Sequence, residues 1–258
     1  MFPFLEVAGV FIPTYNLVLA VGILAGAMQL FFLARRKRVT LQFLAGNFFL
    51  LLFVTLFFSR LAEVLFHGYS LLELPFFWMK DGNFNFFGGV AGFIAVLAFL
   101  SRKFNENFFT WLDLILLPAS LTLVFHHFGT FFAGSAYGTQ TALPWGVTFT
   151  NPDAVGYSTI PIHPVQIYAA LLVFGFFIAA SLISKHTTMA GKAGIFLILT
   201  ISLLYFFLDF LRADSAVVFG FFRASQYFAL AFSIFAALLV IRMKRKIYET
   251  RGGEFHVS

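Results

Sequence analysis

Two adjacent histidines, His126 and His127, stand in an apolar stretch that runs on into a loop rich in turn residues, "FHHFGTFFAGSAYGTQTALPWGVTFT". Imidazole is the side chain best suited to take up and return a proton near neutral pH. Adjacent helical residues point to different faces, so at most one of the two faces any single cavity. A buried histidine is more often a structural hydrogen-bonding group than a base, and both roles stay open for this pair.

Two pairs of opposite charges also lie at the ends of apolar segments. Arg60 and Glu63 are three residues apart, as are Asp209 and Arg212, so each pair shares one helix face. Charges within a membrane are costly and mark candidate sites. The first pair either neutralises itself between two helices or binds a ligand. Arg212 is favoured as a ligand-binding residue, because a guanidinium binds phosphate through a two-pronged donor fork.

The composition predicts that lipid is the solvent for most of the chain. Of 258 residues, 60% are hydrophobic, 11% are charged and 41 are phenylalanine, more apolar surface than a soluble core of this length can bury. The absence of cysteine excludes disulfides, thiolate metal sites and a cysteine nucleophile. We interpret the net charge of +6 as membrane topology and attraction to anionic lipid, with no nucleic-acid partner.

The apolar segments predict an all-α, polytopic membrane protein with seven transmembrane helices, each about 18–25 residues long. The chain is expected to form a single integral-membrane domain over residues 1–258, with an outer loop at about 134–165. That loop is either a lid over a polar pocket or a simple connector. The predicted spans are residues 11–34, 41–66, 84–100, 108–133, 166–184, 193–211 and 225–241.

The basic residues predict the orientation of these spans. Thirteen of the 17 Lys and Arg fall on one side: Arg35, Arg36, Lys37, Arg38, Arg102, Lys103, Lys185, Lys192, Arg242, Lys244, Arg245, Lys246 and Arg251. The remaining four are Arg60, Lys80, Arg212 and Arg223. The positive-inside rule therefore places the N-terminus outside and the C-terminus in the cytoplasm. The basic cluster follows the first apolar run, so no cleavable signal peptide is expected.

In this topology the polar groups gather near the outer leaflet. His126, His127, Arg60, Arg212 and His163 all lie toward that side, and Asp81 and Asp153 fall in outer loops; Asp113, at the inner end of the fourth span, is the exception. The residues alone leave three classes open: a lipid-modifying enzyme, a lipid-binding subunit and a small transporter. The transporter is disfavoured, because broken-helix and inverted-repeat signals are absent.

Several motifs together narrow these classes. "FAGSAYGTQTALPWGVTFT" followed by "IHPVQIYAALL" resembles the signature region of the prolipoprotein diacylglyceryl transferases. "IPTYN", "SRLAEVLF", "FFGGVAG" and "FLDFLRAD" are similar, in the same order, to further motifs of that family. The resemblance covers nearly the whole chain. It implies transfer of a diacylglyceryl group from phosphatidylglycerol to the lipobox cysteine thiol of a preprolipoprotein, with release of glycerol phosphate.

The same resemblance implies roles for individual residues. His127, His126 and Tyr15 are the implied catalytic residues. The implied substrate-binding residues are Arg212, Arg60, Gly88, Gly89, Gly138, His163 and Tyr168. The implied partners are an anionic phospholipid such as phosphatidylglycerol and a prolipoprotein signal peptide, with no metal and no organic cofactor. The implied location is the bacterial cytoplasmic (inner) membrane, as a multi-pass protein acting on its outer face.

The chain also departs from the family pattern. Phe87 stands in place of a histidine and His127 in place of an arginine; the other departures are Thr130, Ser135, Ile162 and the shifted Asp214. A neutral imidazole lacks the permanent charge and the donor fork of arginine. Two readings therefore stay open: a divergent diacylglyceryl transferase, or a catalytically degenerate member that serves as a lipid-binding membrane subunit of a larger complex.

Overall fold

A computed structural model describes residues 2–7, 9–66, 84–214, 217–218 and 220–252; Lys80 and Asp81 lie outside them. Within this part the helices are α1 Thr14–Lys37, α2 Gln42–Phe66, α3 Phe86–Lys103, α4 Phe108–Ala133, α5 Val165–His186, α6 Lys192–Leu208 and α7 Ala224–Gly252. The strands are β1 Phe4–Val7, β2 Val10–Pro13, β3 Val147–Phe149, β4 Ser158–Ile162, β5 Val217–Val218 and β6 Phe222–Arg223. Successive strands pair into three antiparallel hairpins.

Each predicted span coincides with one of these helices. Six helices in the described part are long and apolar enough to cross a bilayer, and α6 is a shorter apolar helix. The chain is therefore a mostly helical, multi-pass membrane protein. The full count of seven crossings and the outside position of the N-terminus stay predictions. The hairpins are an addition to the predicted all-α class.

Two predicted spans extend three residues beyond the helices that the structure contains. Residues 11–13 belong to β2, where Ile12 pairs with Leu5 of β1. Pro13 explains this difference, because a proline disfavours helical backbone at the residue before it; α1 begins just after it, at Thr14. At the other site, α6 ends at Leu208, and residues 209–211 form a turn.

The described chain divides into two compact units. The smaller unit comprises Phe31–Trp111 and contains α2 and α3. These two helices pack closely at glycine positions. A Cβ atom added at Gly88 would lie 2.6 Å from the Phe58 carbonyl oxygen, and one at Gly92 would lie 2.5 Å from the Phe58 Cβ. Only residues without a side chain fit this approach.

The larger unit comprises Met1–Leu30 and Leu112–Ser258. Within it α1 packs against α4 through glycine in the same way. The Thr122 hydroxyl donates to the Gly22 carbonyl at 3.0 Å, and a Cβ atom at Gly129 would lie 2.9 Å from Cδ2 of Tyr15. This close packing brings the first turn of α1 beside the last turns of α4, where the two histidines lie.

Asp113 joins the start of α4 to the start of α6, far along both helices from the two histidines and Arg212. Its carboxylate oxygens accept the backbone N–H groups of Gly191 at 2.9 Å and Gly194 at 2.8 Å. Gly191 is the N-cap residue of α6, with a φ of 88° that suits glycine. A carboxylate at a helix N-terminus satisfies orphan N–H groups and complements the helix dipole. The polar residue that stood apart in the sequence therefore has a structural role.

Candidate active site

The candidate site lies where α1 and α5 begin and where α4 and α6 end, in the larger unit. Nδ1 of His126 lies 3.1 Å from the Tyr15 hydroxyl. Nε2 of His127 lies 3.0 Å from the Tyr205 hydroxyl. The two imidazole rings are 5.2 Å apart and face different helices, as their adjacency on α4 predicted. The result is a chain of four aromatic polar groups across α1, α4 and α6.

The two histidines differ in their solvent exposure. His127 is 5% exposed, whereas His126 is partly exposed. A buried imidazole bonded to a phenol is suited to hold structure, and a partly exposed one is available to an incoming molecule. His126 is therefore the one of the pair that an incoming molecule can reach.

Arg212 follows α6 and is held by two carboxylates. Its Nε and Nη2 atoms donate to Oδ1 and Oδ2 of Asp214, at 2.9 and 3.0 Å. Its Nη1 donates to Oδ1 of Asp209 at 3.3 Å. The Asp209 side chain is fully buried. The sequence predicted the Asp209–Arg212 pair, and Asp214 is a second, two-pronged partner of Arg212.

Burial and charge act in opposite directions on this group. Burial alone lowers the pKa of Arg212, but the carboxylates of Asp214 and Asp209 outweigh it and raise that pKa above the ordinary value. Burial raises the pKa of Asp209, although the Ser225 hydroxyl and the positive charge of Arg212 oppose the shift. The guanidinium therefore keeps its charge, and the cluster retains a permanent cation.

A small irregular sheet fixes the backbone of Arg212. Gly138 and Arg212 form an antiparallel bridge, and the Thr139 N–H donates to the Leu211 carbonyl at 2.8 Å. On its other side the Thr139 carbonyl accepts the His163 N–H at 2.9 Å. The 134–164 loop is thus an ordered structure that links the segment after α6 to the start of α5.

At Gly138 the sheet packs closely against the residues at the start of α5. A Cβ atom there would lie 2.7 Å from the Cβ of His163 and would also strike the His163 carbonyl oxygen. Neither a backbone oxygen nor a Cβ atom can move aside easily. The predicted substrate-binding role of Gly138 is untested, and its local geometry is that of a residue that positions Arg212.

His163 and Tyr168 lie at the start of α5. The Tyr168 hydroxyl is 3.4 Å from Nδ1 of His163, and it accepts a hydrogen bond from Nε1 of Trp145 at 2.8 Å. Trp145 belongs to a turn in which the Gly146 N–H donates to the Leu143 carbonyl at 2.9 Å. The indole of Trp145 therefore ties the loop to α5.

Two of the departures from the family pattern have local structural partners in this unit. The Thr130 hydroxyl donates to the His127 carbonyl at 2.9 Å. The Ser135 carbonyl accepts the side-chain amide of Gln166 at 2.7 Å. The first contact lies within the last turns of α4, and the second ties the end of α4 to the start of α5. Ile162 is buried in a small apolar cluster under the loop.

Three predicted substrate-binding residues, Arg60, Gly88 and Gly89, lie in the smaller unit instead. Arg60 is 2% exposed, and its guanidinium carbon lies 6.0 Å from the centroid of the Phe84 ring. Gly88 packs against Phe58, and a Cβ at Gly89 would come within 3.3 Å of the Cβ of Ser59. These glycines fit a packing role. Phe87, in place of the family histidine, is buried.

The site residues Tyr205 and Trp145 and the pairing of Asp214 with Arg212 were not predicted from the sequence. One signal was available for Tyr205: it precedes Asp209 by four residues and Arg212 by seven, so all three share one face of a continued helix. The contact between Trp145 and Tyr168 joins residues 23 apart and has no comparable local pattern.

Comparison with known proteins identifies relatives. The family model described as prolipoprotein diacylglyceryl transferase matches residues 3–242. The chain is similar to the phosphatidylglycerol–prolipoprotein diacylglyceryl transferase of Protochlamydia amoebophila, with 32% identity over 74% of the chain. That match spans 54% of the relative's length.

Two other relatives match over nearly their full length. The enzyme of the same name from Finegoldia magna is 24% identical over 95% of the chain and 96% of its own length. The one from Clostridioides difficile is 26% identical over 86% of the chain and 87% of its own length. Since the family model covers far more than half of the sequence, the chain belongs to the prolipoprotein diacylglyceryl transferase family.

Proposed function

We propose that this protein transfers a diacylglyceryl group from phosphatidylglycerol to the cysteine thiol of a prolipoprotein at the outer face of the bacterial cytoplasmic membrane. The observation that carries the proposal is the placement of a permanent cation, Arg212, at the same end of the larger unit as the Tyr15–His126 pair. Acyl-glycerol transfer needs both groups: a cation for the phosphate and a base for the thiol. The names of the relatives support the same substrates.

His126 is the proposed base. It takes the proton of the cysteine thiol, and the thiolate sulfur attacks the glyceryl carbon that carries the phosphate ester. A C–S bond forms, the C–O bond breaks, and the electron pair leaves on the phosphate oxygen of glycerol phosphate. His126 then returns its proton to that phosphate or to water. The Tyr15 hydroxyl, 3.1 Å from Nδ1, orients the ring during these steps.

Arg212 is the proposed anchor of the phosphate. Its guanidinium offers paired donors, and negative charge grows on the phosphate as the C–O bond breaks. The sheet that includes Gly138 and Thr139 holds its backbone in place, so the cation needs little reorganisation during the reaction. His163 and Tyr168, at the start of α5 beside that sheet, are proposed to line the path of the lipid headgroup.

A second candidate function follows from His127 and Phe87. His127 is buried and bonded to Tyr205, so it brings no permanent charge to the position of the family arginine. Phe87 brings no titratable group. These features favour the alternative: a lipid-binding membrane subunit of a larger complex, with lost or greatly reduced transfer activity.

One assay separates the two functions. The purified protein is reconstituted in phosphatidylglycerol nanodiscs and given a lipobox peptide, and the peptide's mass is followed. We expect a diacylglyceryl adduct on the cysteine peptide, none on a matched serine peptide, and loss of the adduct with Arg212→Ala. A folded protein that binds phosphatidylglycerol and yields no adduct would contradict the transferase and support the lipid-binding subunit.

A further inference from the structure

The donor fork of Arg212 is already occupied by a residue of the same chain. A guanidinium carries five N–H donors, and the Nε–Nη2 edge presents two in parallel. Both of these point to the Asp214 carboxylate, at 2.9 and 3.0 Å. This is the geometry in which arginine binds a phosphate. Asp214 therefore holds the place that a phosphate group would take on this edge.

The formal charges around the fork already balance. Arg212 and Arg223 contribute two positive charges, and Asp209 and Asp214 contribute two negative ones; Nη2 of Arg223 donates to the Arg212 carbonyl oxygen. An anionic phosphate that joined this neutral group would add an uncompensated charge. If the phosphate replaces one carboxylate, the balance is kept and the fork changes partner without losing its hydrogen bonds.

The two carboxylates differ in how easily they can leave. The Asp209 side chain is fully buried at the end of α6, so releasing it would leave an unpaired charge away from water. The Asp214 side chain is 20% exposed and lies two residues beyond Arg212, outside the helix. A released Asp214 carboxylate can be hydrated. The replaceable partner is therefore Asp214, and Asp209 is the fixed one.

We propose that Asp214 is an intramolecular competitor for Arg212, and that the phosphate of the lipid binds by displacing the Asp214 carboxylate from the Nε–Nη2 fork. The proposal rests on the phosphate-anchoring role of Arg212 given above. It makes Asp214 an affinity-determining residue in two steps. Asp214 weakens the binding of the lipid donor, and it returns to the fork when glycerol phosphate leaves, which aids product release.

Removal of the competing charge tests this role. Asp214→Asn is titrated with phosphatidylglycerol in nanodiscs, and glycerol phosphate is tested as an inhibitor of transfer or, if transfer is absent, as a competitor of lipid binding. A partly exposed ion pair is worth up to about 1 kcal/mol, so we expect about fivefold tighter binding of both. Asp214→Glu, which keeps the competitor, is expected to bind like the wild type.

Controls separate this role from others. Asp153→Asn makes the same charge change at an exposed loop residue and is expected to leave both affinities unchanged. Asp214→Ala serves as a second neutral variant if the asparagine variant does not fold. The competitor role is overturned if the neutral Asp214 variants bind the lipid no more tightly than the wild type does, while Arg212→Ala loses lipid binding. If Arg212→Ala binds the lipid as tightly as the wild type does, Arg212 is not the phosphate anchor, and the inference fails with it.

Discussion

A buried aspartate lies at each end of α6 in the larger unit, and the two aspartates differ in what they bind. At one end Asp113 accepts two backbone N–H groups at the start of α6. At the other end the fully buried Asp209 accepts from the side chain of Arg212, which shares its donors with Asp214. Backbone partners are fixed by the fold, whereas side-chain partners can be exchanged.

We propose that this difference separates a structural charge from a functional one. A carboxylate bound to helix N–H groups stabilises the junction and has no reason to change partners. A guanidinium bound to a partly exposed carboxylate can take a substrate phosphate in its place. Burial and charge alone rank Asp113 and Asp209 alike, and the partners distinguish them.

Arg212→Lys tests whether the fork or only the charge matters. Lysine keeps the cation but loses the paired donors, so the leaving phosphate loses a charge-assisted contact. We expect transfer to fall about a hundredfold, the effect of removing one such donor, with an unchanged thermal unfolding temperature. Rates within threefold of the wild type would mean that a point charge is sufficient at this end.

Gly138→Ala tests whether the sheet positions Arg212. The added methyl group would strike the His163 carbonyl oxygen and lie 2.7 Å from the His163 Cβ, so the Gly138–Arg212 bridge must shift. A misplacement of about 1 Å can cost up to a hundredfold, and we expect a loss of at least tenfold in the transfer assay.

The matched control for that variant is Gly175→Ala. A Cβ atom at Gly175, in the middle of α5, has nothing within 4 Å, and alanine is the better helix former. We expect unchanged transfer and equal or higher stability. Equal losses in both glycine variants would show that the effect at Gly138 is not specific to the sheet.

Tyr205→Phe removes the hydroxyl 3.0 Å from Nε2 of His127. A net hydrogen bond is worth about 1 kcal/mol, and its loss leaves a buried imidazole nitrogen without that partner. We expect transfer to fall about fivefold, because the neighbouring His126 ring loses part of its packing. Tyr15→Phe, measured beside it, should cost more; the reverse order would place the base at His127.

Asp113→Asn is expected to leave transfer per folded molecule unchanged. One amide oxygen cannot replace two carboxylate oxygens that accept the N–H groups of Gly191 and Gly194. The free energy of unfolding should fall by about 2 kcal/mol, measured by denaturant titration in detergent micelles. A drop in turnover without a drop in stability would contradict the structural role of this end.

The sequence alone predicted the helices because their apolar runs are long and continuous. It also predicted the pairing of Asp209 with Arg212 and the divergence of His126 from His127, since both follow from helix periodicity. It did not predict the sheet of the 134–164 loop. Backbone bridges such as Gly138–Arg212 join positions far apart in sequence and leave no periodic pattern.

The sequence did not predict the partners of Asp113. Its carboxylate accepts the N–H groups of Gly191 and Gly194, which are 78 and 81 residues away in the chain. The end of α6 at Leu208 was not predicted either. Residues 209–211 contain only one charged residue, an aspartate, so their composition would allow the apolar span to continue. Local composition places an element, and tertiary contacts decide where it stops and what it binds.

The most direct test of the contrast between the two ends measures diacylglyceryl transfer by Arg212→Ala and Asp113→Ala side by side. Rates are normalised to folded protein, and the unfolding temperature of each variant is recorded. We predict that Arg212→Ala loses at least a hundredfold in rate per folded molecule and also unfolds earlier, because it leaves the buried Asp209 without its cation. Asp113→Ala is predicted to unfold earlier but to keep its rate per folded molecule. The opposite pattern would contradict the assignment of chemistry to the Arg212 end.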